Sequence, residues 1–184
     1  MAVESTLVPL GTPAPDFSLP TVGGGTVWLR DLTAPALVVA FVCNHCPYVK
    51  HVEHELGRLA DELLGSGCEF VAICSNDAVS YPDDAPAHLR EQAERAGWGF
   101  PYLVDESQQV ARDYGAVCTP DFFAYGPDRT LVYRGAMDGS TPGNGVPVDA
   151  SLLRSAVVRI LAGEAVPEPH RPSLGCSIKW RDQP

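Results

Sequence analysis

The chain has 184 residues, 45% of them hydrophobic, which is enough for one globular domain with a substantial core. Asp and Glu number 23 against 13 Lys and Arg, and the resulting net charge of −10 disfavours nucleic acid and anionic membrane surfaces as partners. Residues 1–15 show no targeting signal, and the longest apolar run, Pro35–Cys43, is too short to span a membrane. We therefore expect a cytoplasmic protein, in which cysteines are catalytic, metal-binding or simply buried.

The first elements in the chain predict a β extension followed by a buried strand. Phe17–Leu19 and Val27–Leu29 flank Gly23–Gly25 and predict a hairpin. Ala36–Val42 is continuously apolar and contains β-branched residues, as expected for a strand that is buried on both faces.

A long helix is predicted directly after this strand. Its apolar residues recur at three- and four-residue steps and are Val49, Val52, Leu56, Leu59, Ala60 and Leu63. Gly65 or Gly67 is the expected end of this helix. Glu69–Cys74 predicts a second buried strand, and the polar, proline-containing segment Ser75–Pro86 indicates a loop.

Two further helices are predicted in the middle of the chain. Ala87–Ala96 has the pattern of a surface helix, in which Glu91 and Arg95 are spaced to form an ion pair. Asp105 and Gln108 resemble a capping box at the start of a short helix.

The last predicted elements are two strands and a helix. Asp121–Tyr125 and Leu131–Arg134 are joined by a turn sequence, and Asp149 is the expected cap of a strongly amphipathic helix. This order predicts an α/β fold with a central mixed β-sheet flanked by helices. We assign residues 1–166 to this domain, and residues 167–184 to a proline-rich tail that packs on it.

Cys43 and Cys46 are separated by two residues at the predicted junction of strand and helix. The free N–H groups of a helix start stabilise a thiolate, and this spacing lets two sulfurs close a disulfide. His45 would favour the thiolate when protonated, and Pro47 suits the first helical turn. The pair therefore predicts thiol–disulfide exchange, with metal binding or inert packing as alternatives. We expect neither a metal nor another cofactor.

Position along the chain suggests the order in which the two thiols react. Cys43 precedes the helix, whereas Cys46 lies in its first turn. We therefore expect Cys43 to be the more exposed thiol, to have the lower pKa and to attack first. The metal alternative would use His51 and His54, whose positions fit a solvated helix face better.

A second motif, Thr119–Pro120, precedes a predicted core strand, where a proline cannot donate to the ladder. The order of strand, CxxC and helix, followed by the sequence GAVCTPDFF, resembles the thioredoxin-like superfamily. This resemblance implies a thioredoxin-like fold in which Pro120 is a cis-proline facing the CxxC turn. It also implies that Thr119 offers backbone hydrogen bonds to the substrate.

A narrower resemblance is to the redoxin group of alkyl hydroperoxide reductase and thiol-specific antioxidant proteins. The opening GTPAPDFSL resembles the start of that group, and the strings FVCNHCPYVK and GCSIKW resemble peroxiredoxin-like proteins with a CNHC motif. The resemblance covers roughly residues 10–180. It aligns the peroxide-attacking cysteine with Cys46, but places Cys43 where those enzymes carry a Thr or Ser hydroxyl.

Two other cysteines are candidates for a resolving role. Cys118 lies beside Thr119, and Cys176 lies in the tail; either can instead be a packing or spectator thiol. We predict a thiol–disulfide oxidoreductase with a protein or small-molecule disulfide or thiol as substrate and an external thiol as reductant. The alternatives are a thiol peroxidase in which Cys46 attacks a hydroperoxide, and a non-catalytic module that binds a metal or a partner.

Overall fold

The structure is a computed structural model that describes residues 2–181. In this part of the chain the strands are β1 (Ala2–Glu4), β2 (Ser18–Pro20), β3 (Thr26–Trp28), β4 (Ala36–Phe41), β5 (Cys68–Cys74), β6 (Tyr102–Val104), β7 (Cys118–Thr119), β8 (Asp121–Tyr125), β9 (Leu131–Gly135) and β10 (Leu174–Ser177). The helices are α1 (Pro47–Leu64), α2 (Pro86–Ala96), α3 (Gln109–Tyr114) and α4 (Ser151–Ala162). No helix of the described residues combines the length and the apolar composition that crossing a membrane requires.

The central sheet has five strands in the order β6-β5-β4-β8-β9. β4 lies in the middle, parallel to β5 and antiparallel to β8, and β5 is parallel to β6. Every residue of β4 is buried because apolar layers cover both faces of the sheet. The predicted mixed sheet flanked by helices is confirmed, as are the β2–β3 hairpin and the strand–helix junction that carries the two cysteines.

Two predictions of helix caps were wrong. Gln108, with φ of +63°, is itself the residue before α3, and Asp105 accepts a hydrogen bond from the backbone of Ala111 instead of forming a capping box. Ala150, not Asp149, occupies the corresponding position before α4. In both cases the aspartate lies outside the N-cap position but still accepts a hydrogen bond from the first turn of the helix, Asp105 from Ala111 N and Asp149 from Ser151 N.

A second sheet, in the order β1-β10-β7, was not predicted from the sequence. β10 lies between the other two strands and is antiparallel to both. In the register of this sheet, Ala2 and Thr119 lie on opposite sides of Cys176. The proline-rich segment after α4 therefore returns to the domain as a strand, next to the Thr119–Pro120 motif.

Candidate active site

The CNHC turn connects the carboxyl end of β4 to the first turn of α1. Val42 continues the strand pairing through a hydrogen bond from its N–H to the Ile73 carbonyl. Cys46 is the N-cap residue of α1, and Pro47 is the first helical residue, as its fixed φ and missing donor favour. Cys43 and Cys46 are both free thiols with 0% exposure. The redox candidates are thus at the predicted junction but beneath the protein surface.

Cys46 is the thiol whose environment stabilises a negative charge. Hydrogen bonding from the Cys43 thiol is the largest influence, and the Cys176 thiol and the Val49 N–H at the helix start add to it. Burial opposes ionisation, but these donors outweigh it and lower the pKa of Cys46 to about 5. At neutral pH Cys46 is therefore a thiolate.

The prediction that Cys43 is the more exposed thiol with the lower pKa was wrong. Burial, donation to Cys46 and the nearby Asp84 carboxylate all raise the pKa of Cys43 well above its usual value. The free N–H groups of a helix start stabilise the thiolate of the residue that directly precedes the helix. The helix begins one position after Cys46, so these groups stabilise Cys46 rather than Cys43.

Thr119 contacts both sulfurs. Its hydroxyl lies 3.2 Å from Cys43 Sγ, and its carbonyl accepts a hydrogen bond of 3.2 Å from the Cys46 thiol. On ionisation the Cys46 sulfur can no longer donate to that carbonyl, and the N–H and S–H donors described above stabilise it.

The bond between Thr119 and Pro120 is cis, which confirms the expectation drawn from the resemblance. The backbone of Thr119 pairs with Cys176, so a substrate strand could reach this edge only by displacing β10.

Asp84 is a site residue that the sequence analysis missed. Its buried carboxylate accepts hydrogen bonds from Asn44 N at 2.8 Å, His45 N at 3.2 Å, His45 Nδ1 at 2.5 Å and Asn76 Nδ2 at 2.8 Å. Burial opposes its ionisation, but the bonds from His45 and Asn76 hold the pKa of Asp84 below its usual value. Asp84 lies in the segment interpreted only as a polar loop, where no periodic pattern marks one aspartate among several.

A polar network from α1 and α2 fixes the backbone of the same turn. Gln92 Nε2 donates to the Cys43 carbonyl at 3.1 Å and to Glu53 at 3.2 Å. Arg95 donates to Glu53 and also to Asn44 Oδ1, at 3.1 Å. The predicted Glu91–Arg95 pair was wrong, because Arg95 turns toward the buried Glu53 and the CNHC turn.

The remaining cysteines differ in their relation to the site. Cys118 is fully buried, its sulfur lies 4.0 Å from the Pro120 carbonyl, and burial raises its pKa strongly. Cys176 is partly exposed and hydrogen-bonds with Cys46; burial and this bond raise the pKa of Cys176 to about 11. Cys68 and Cys74 are the first and last residues of β5, and both are buried thiols with raised pKa values. Cys176, which lies opposite Thr119 in the pairing of β10 with β7, is thus the additional thiol next to the CxxC pair.

A buried carboxyl lies directly behind the motif. Asp121 follows Pro120, is 1% exposed, and its Oδ2 has no hydrogen-bond partner among the described residues. Burial raises the pKa of Asp121 to about 8, although the hydroxyls of Ser173 and Ser5 oppose this shift. The group is therefore predominantly protonated at neutral pH.

One cluster has donor atoms suited to a metal. Cys43, His45 and Asp84 bring a sulfur, an imidazole nitrogen and a carboxylate oxygen within 4.8 Å of one another. Such donors suit zinc. Asp84 is, however, already bonded to the backbone of the turn and to the His45 ring, so a metal would have to replace the His45–Asp84 bond. The histidines considered from sequence, His51 and His54, are not part of this cluster.

A surface cleft of about 160 Å³ lies beside the motif. Tyr48 from α1, Pro120 and Leu174 from β10 are among its lining residues, whereas neither buried CxxC sulfur is. The cleft offers space for a small ligand next to the site. Reaching Cys46 from it requires a local movement of the residues between them.

Comparison with known proteins places these features in a family. The family model described as "AhpC/TSA family" matches residues 10–134. A crystal structure of an uncharacterized conserved protein from Geobacillus kaustophilus is 50% identical, with a TM-score of 0.97, and the match covers 100% of this chain and 98% of that one. A secreted disulfide oxidoreductase from Mycobacterium tuberculosis has a TM-score of 0.61 at 18% identity over 77% of this chain and 94% of that one, which shows the thioredoxin-like fold.

A curated relative is named thiol-disulfide oxidoreductase ResA, from Halalkalibacterium halodurans. It is 24% identical over 112 residues, which are 61% of this chain. The match spans about 60% of the length of that relative.

Proposed function

This chain belongs to the AhpC/TSA family, and from that premise we propose that it is a thiol–disulfide oxidoreductase that works through a Cys43–Cys46 dithiol/disulfide couple. The observation that carries the proposal is that Thr119 contacts both sulfurs at the N-terminus of α1, its hydroxyl 3.2 Å from Cys43 Sγ and its carbonyl 3.2 Å from Cys46 Sγ. In this arrangement, hydrogen bonding with Cys43 is the largest cause of the lowered pKa of Cys46. A low-pKa thiolate beside a second thiol is the arrangement that disulfide exchange requires.

In the proposed reaction Cys46 attacks first. Its thiolate attacks one sulfur of a substrate disulfide, forms a mixed disulfide and releases the other substrate sulfur as a thiolate. Cys43 then attacks Cys46 Sγ, and its proton leaves with the second substrate thiol. The substrate gains two electrons, and the protein is left with a Cys43–Cys46 disulfide that an external thiol must reduce.

Two supporting groups hold this geometry. Asp84 fixes the backbone of Asn44 and His45, and Thr119 contacts both sulfurs. Because both sulfurs are buried, we infer that low-mass disulfides react faster than folded protein substrates. The cytoplasmic setting expected from the sequence is part of this proposal.

The direct test is turnover of a low-mass disulfide with dithiothreitol as reductant. Cys46→Ser should abolish turnover, whereas Cys43→Ser should still attack through Cys46 but should not form the Cys43–Cys46 disulfide. Cys68→Ser is a matched control, since Cys68 is a buried thiol at the start of β5. If wild type and Cys46→Ser react equally, the proposed function is wrong.

A second candidate function, a thiol peroxidase, is favoured by the low pKa of Cys46. The Cys46 thiolate would attack a hydroperoxide and release an alcohol or water, and Cys43 would condense with the resulting sulfenic acid, releasing water. The Thr119 hydroxyl is at the site but contacts Cys43 rather than Cys46. Competition between hydrogen peroxide and a low-mass disulfide for the reduced protein compares the two reactions directly.

A further inference from the structure

We propose that Cys176 is a third redox cysteine, which forms a disulfide with Cys46 and is the sulfur through which a protein thiol delivers electrons to the buried pair. This inference rests on the proposed function, because Cys46 must first be oxidised as half of the Cys43–Cys46 disulfide. It adds a second disulfide state and identifies where the reductant reacts.

The position of Cys176 is set by strand pairing. Cys176 lies opposite Thr119 in the antiparallel pair of β10 and β7, and the Thr119 carbonyl accepts the hydrogen bond from the Cys46 thiol. Cys176 packs against the apolar cluster that contains Cys43 and Cys46. Cys46 therefore lies near two other thiols, Cys43 in its own turn and Cys176 in β10.

The segment that carries Cys176 is anchored on both sides of that residue. Before it, Gly175 packs so tightly against the Thr119 carbonyl that a β-carbon there would lie 1.9 Å from the oxygen. After it, Ile178 N donates to the Val117 carbonyl at 2.9 Å and Lys179 N to Asn76 Oδ1 at 2.8 Å. The contact between Cys176 and Cys46 is thus held by the sheet and the following loop.

Accessibility separates Cys176 from the other two thiols. Cys43 and Cys46 have 0% exposure, whereas Cys176 is partly exposed. A small reductant can reach a buried sulfur through a minor local opening. The active site of a folded protein cannot do so without displacing β10, because that strand occupies the Thr119 edge. Cys176 is the sulfur of the three that a protein dithiol can contact directly.

The proposed relay consists of two balanced exchanges. In the first, deprotonated Cys176 attacks Cys46 Sγ of the Cys43–Cys46 disulfide; the Cys46–Cys176 bond forms, the Cys43–Cys46 bond breaks, and Cys43 takes up the proton. No net oxidation occurs in this step. In the second, one thiolate of the external dithiol attacks Cys176 Sγ and expels Cys46 as a thiolate. The partner's second thiol then displaces Cys176, so the partner leaves as a disulfide and the protein is reduced.

The electronic asymmetry of the two sulfurs favours this direction of attack. Thiol–disulfide exchange is faster when the leaving thiol has a low pKa. The pKa of Cys46 is about 5 and that of Cys176 about 11, so attack on Cys176 expels the better leaving group. Exposure and the pKa of the leaving group therefore both favour Cys176 as the sulfur that the external thiol attacks.

The first experiment maps disulfides in the full chain. Wild type and Cys43→Ser are oxidised with hydroxyethyl disulfide, quenched in acid, alkylated and analysed by peptide mass mapping. We expect both Cys43–Cys46 and Cys46–Cys176 in wild type, and nearly complete Cys46–Cys176 in Cys43→Ser. If Cys43→Ser holds Cys46 only as a mixed disulfide with the reagent, the relay is overturned while the proposed function stands. If Cys46 is not oxidised in wild type at all, the proposed function itself fails.

The second experiment measures reduction of the oxidised protein by dithiothreitol and by a thioredoxin-type protein dithiol. Cys176→Ser should slow reduction by the protein dithiol at least about tenfold more than it slows reduction by dithiothreitol. Cys68→Ser should leave both rates unchanged. Equal loss with both reductants would show a structural effect and overturn the relay, as would an unchanged rate with the protein dithiol. Thermal unfolding of Cys176→Ser confirms that the variant is folded.

Discussion

Gly175 and Thr119 are in such close contact that their backbones define the position of β10. A β-carbon built on Gly175 would lie 1.9 Å from the Thr119 carbonyl oxygen and 2.6 Å from its carbon. Both obstacles are backbone atoms of the motif that contacts the two CxxC sulfurs, so a side-chain rotation cannot relieve the overlap. The distance between Cys176 and Cys46 therefore depends on a residue without a side chain at position 175.

Gly175→Ala should separate β10 from β7. Relief of this overlap costs about 1–3 kcal/mol of stability, and we expect less Cys46–Cys176 disulfide after oxidation because the two sulfurs move apart. Urea unfolding and disulfide mapping measure the two effects. Gly23→Ala is the control, since its β-carbon would meet nothing closer than 3.9 Å. Equal stability and equal disulfide yields in the two variants would contradict the prediction.

Cys46 should carry the thiolate that forms at acidic pH. Ultraviolet thiolate absorbance of the reduced protein should rise as pH increases through about 5, since the ionised form exists above the pKa of Cys46. Cys46→Ala should remove this step. Cys43→Ala should move it upward by about one pH unit or more, because the main stabilising donor is lost. Loss of the step in Cys43→Ala and its persistence in Cys46→Ala would restore Cys43 as the attacking thiol.

Asp84→Ala should loosen the CNHC turn. The substitution leaves the N–H groups of Asn44 and His45 without their acceptor, and a buried donor without a partner costs about 1–3 kcal/mol. We expect reduced thermal stability together with slower disulfide turnover. Asp83→Ala is a close control, because Asp83 is exposed and contributes its backbone carbonyl to Asn44. If the two variants behave alike, Asp84 does not position the turn.

Asp121 should make the protein less stable as pH rises. Its pKa is raised from 3.8 to about 8 in the folded state, so the folded protein binds the proton more tightly than the unfolded chain. The contribution is fully present below the unfolded pKa and is lost between about pH 4 and pH 8; at about 1.4 kcal/mol per pKa unit it amounts to at most about 6 kcal/mol. Urea unfolding across this range should show a weaker pH dependence in Asp121→Asn. The exposed Asp113→Asn should retain the wild-type slope.

Much of the fold is visible in the sequence because its central elements have strong local patterns. The continuous apolar run of β4 can be buried only in the middle of a sheet, and the three- and four-residue spacing in α1 specifies a helix directly after it. These two patterns locate the CNHC turn without further information. The cis bond before Pro120 was predicted from resemblance, and the structure confirms it.

What the sequence did not reveal depends on contacts between distant segments. β7 has two residues and β10 has four, and neither alternates clearly, so their pairing is visible only in the folded chain. Asp84 has the same local character as its neighbour Asp83, and only the fold brings it against the CNHC turn. The relative acidity of the two thiols depends on where α1 begins, which is after Cys46, whereas the prediction placed the start of the helix after Cys43.

The second sheet also has a consequence for the order of events during protein synthesis. Its middle strand comes from residues 174–177, whereas the CNHC turn, β4 and α1 belong to the first half of the chain. Since a ribosome produces the chain from its N-terminus, the turn can fold before the strand that covers it exists. A nascent chain therefore passes through an interval in which Cys46 lacks the cover of β10 and is open to oxidants and to other nascent thiols, and the arrival of β10 ends that interval.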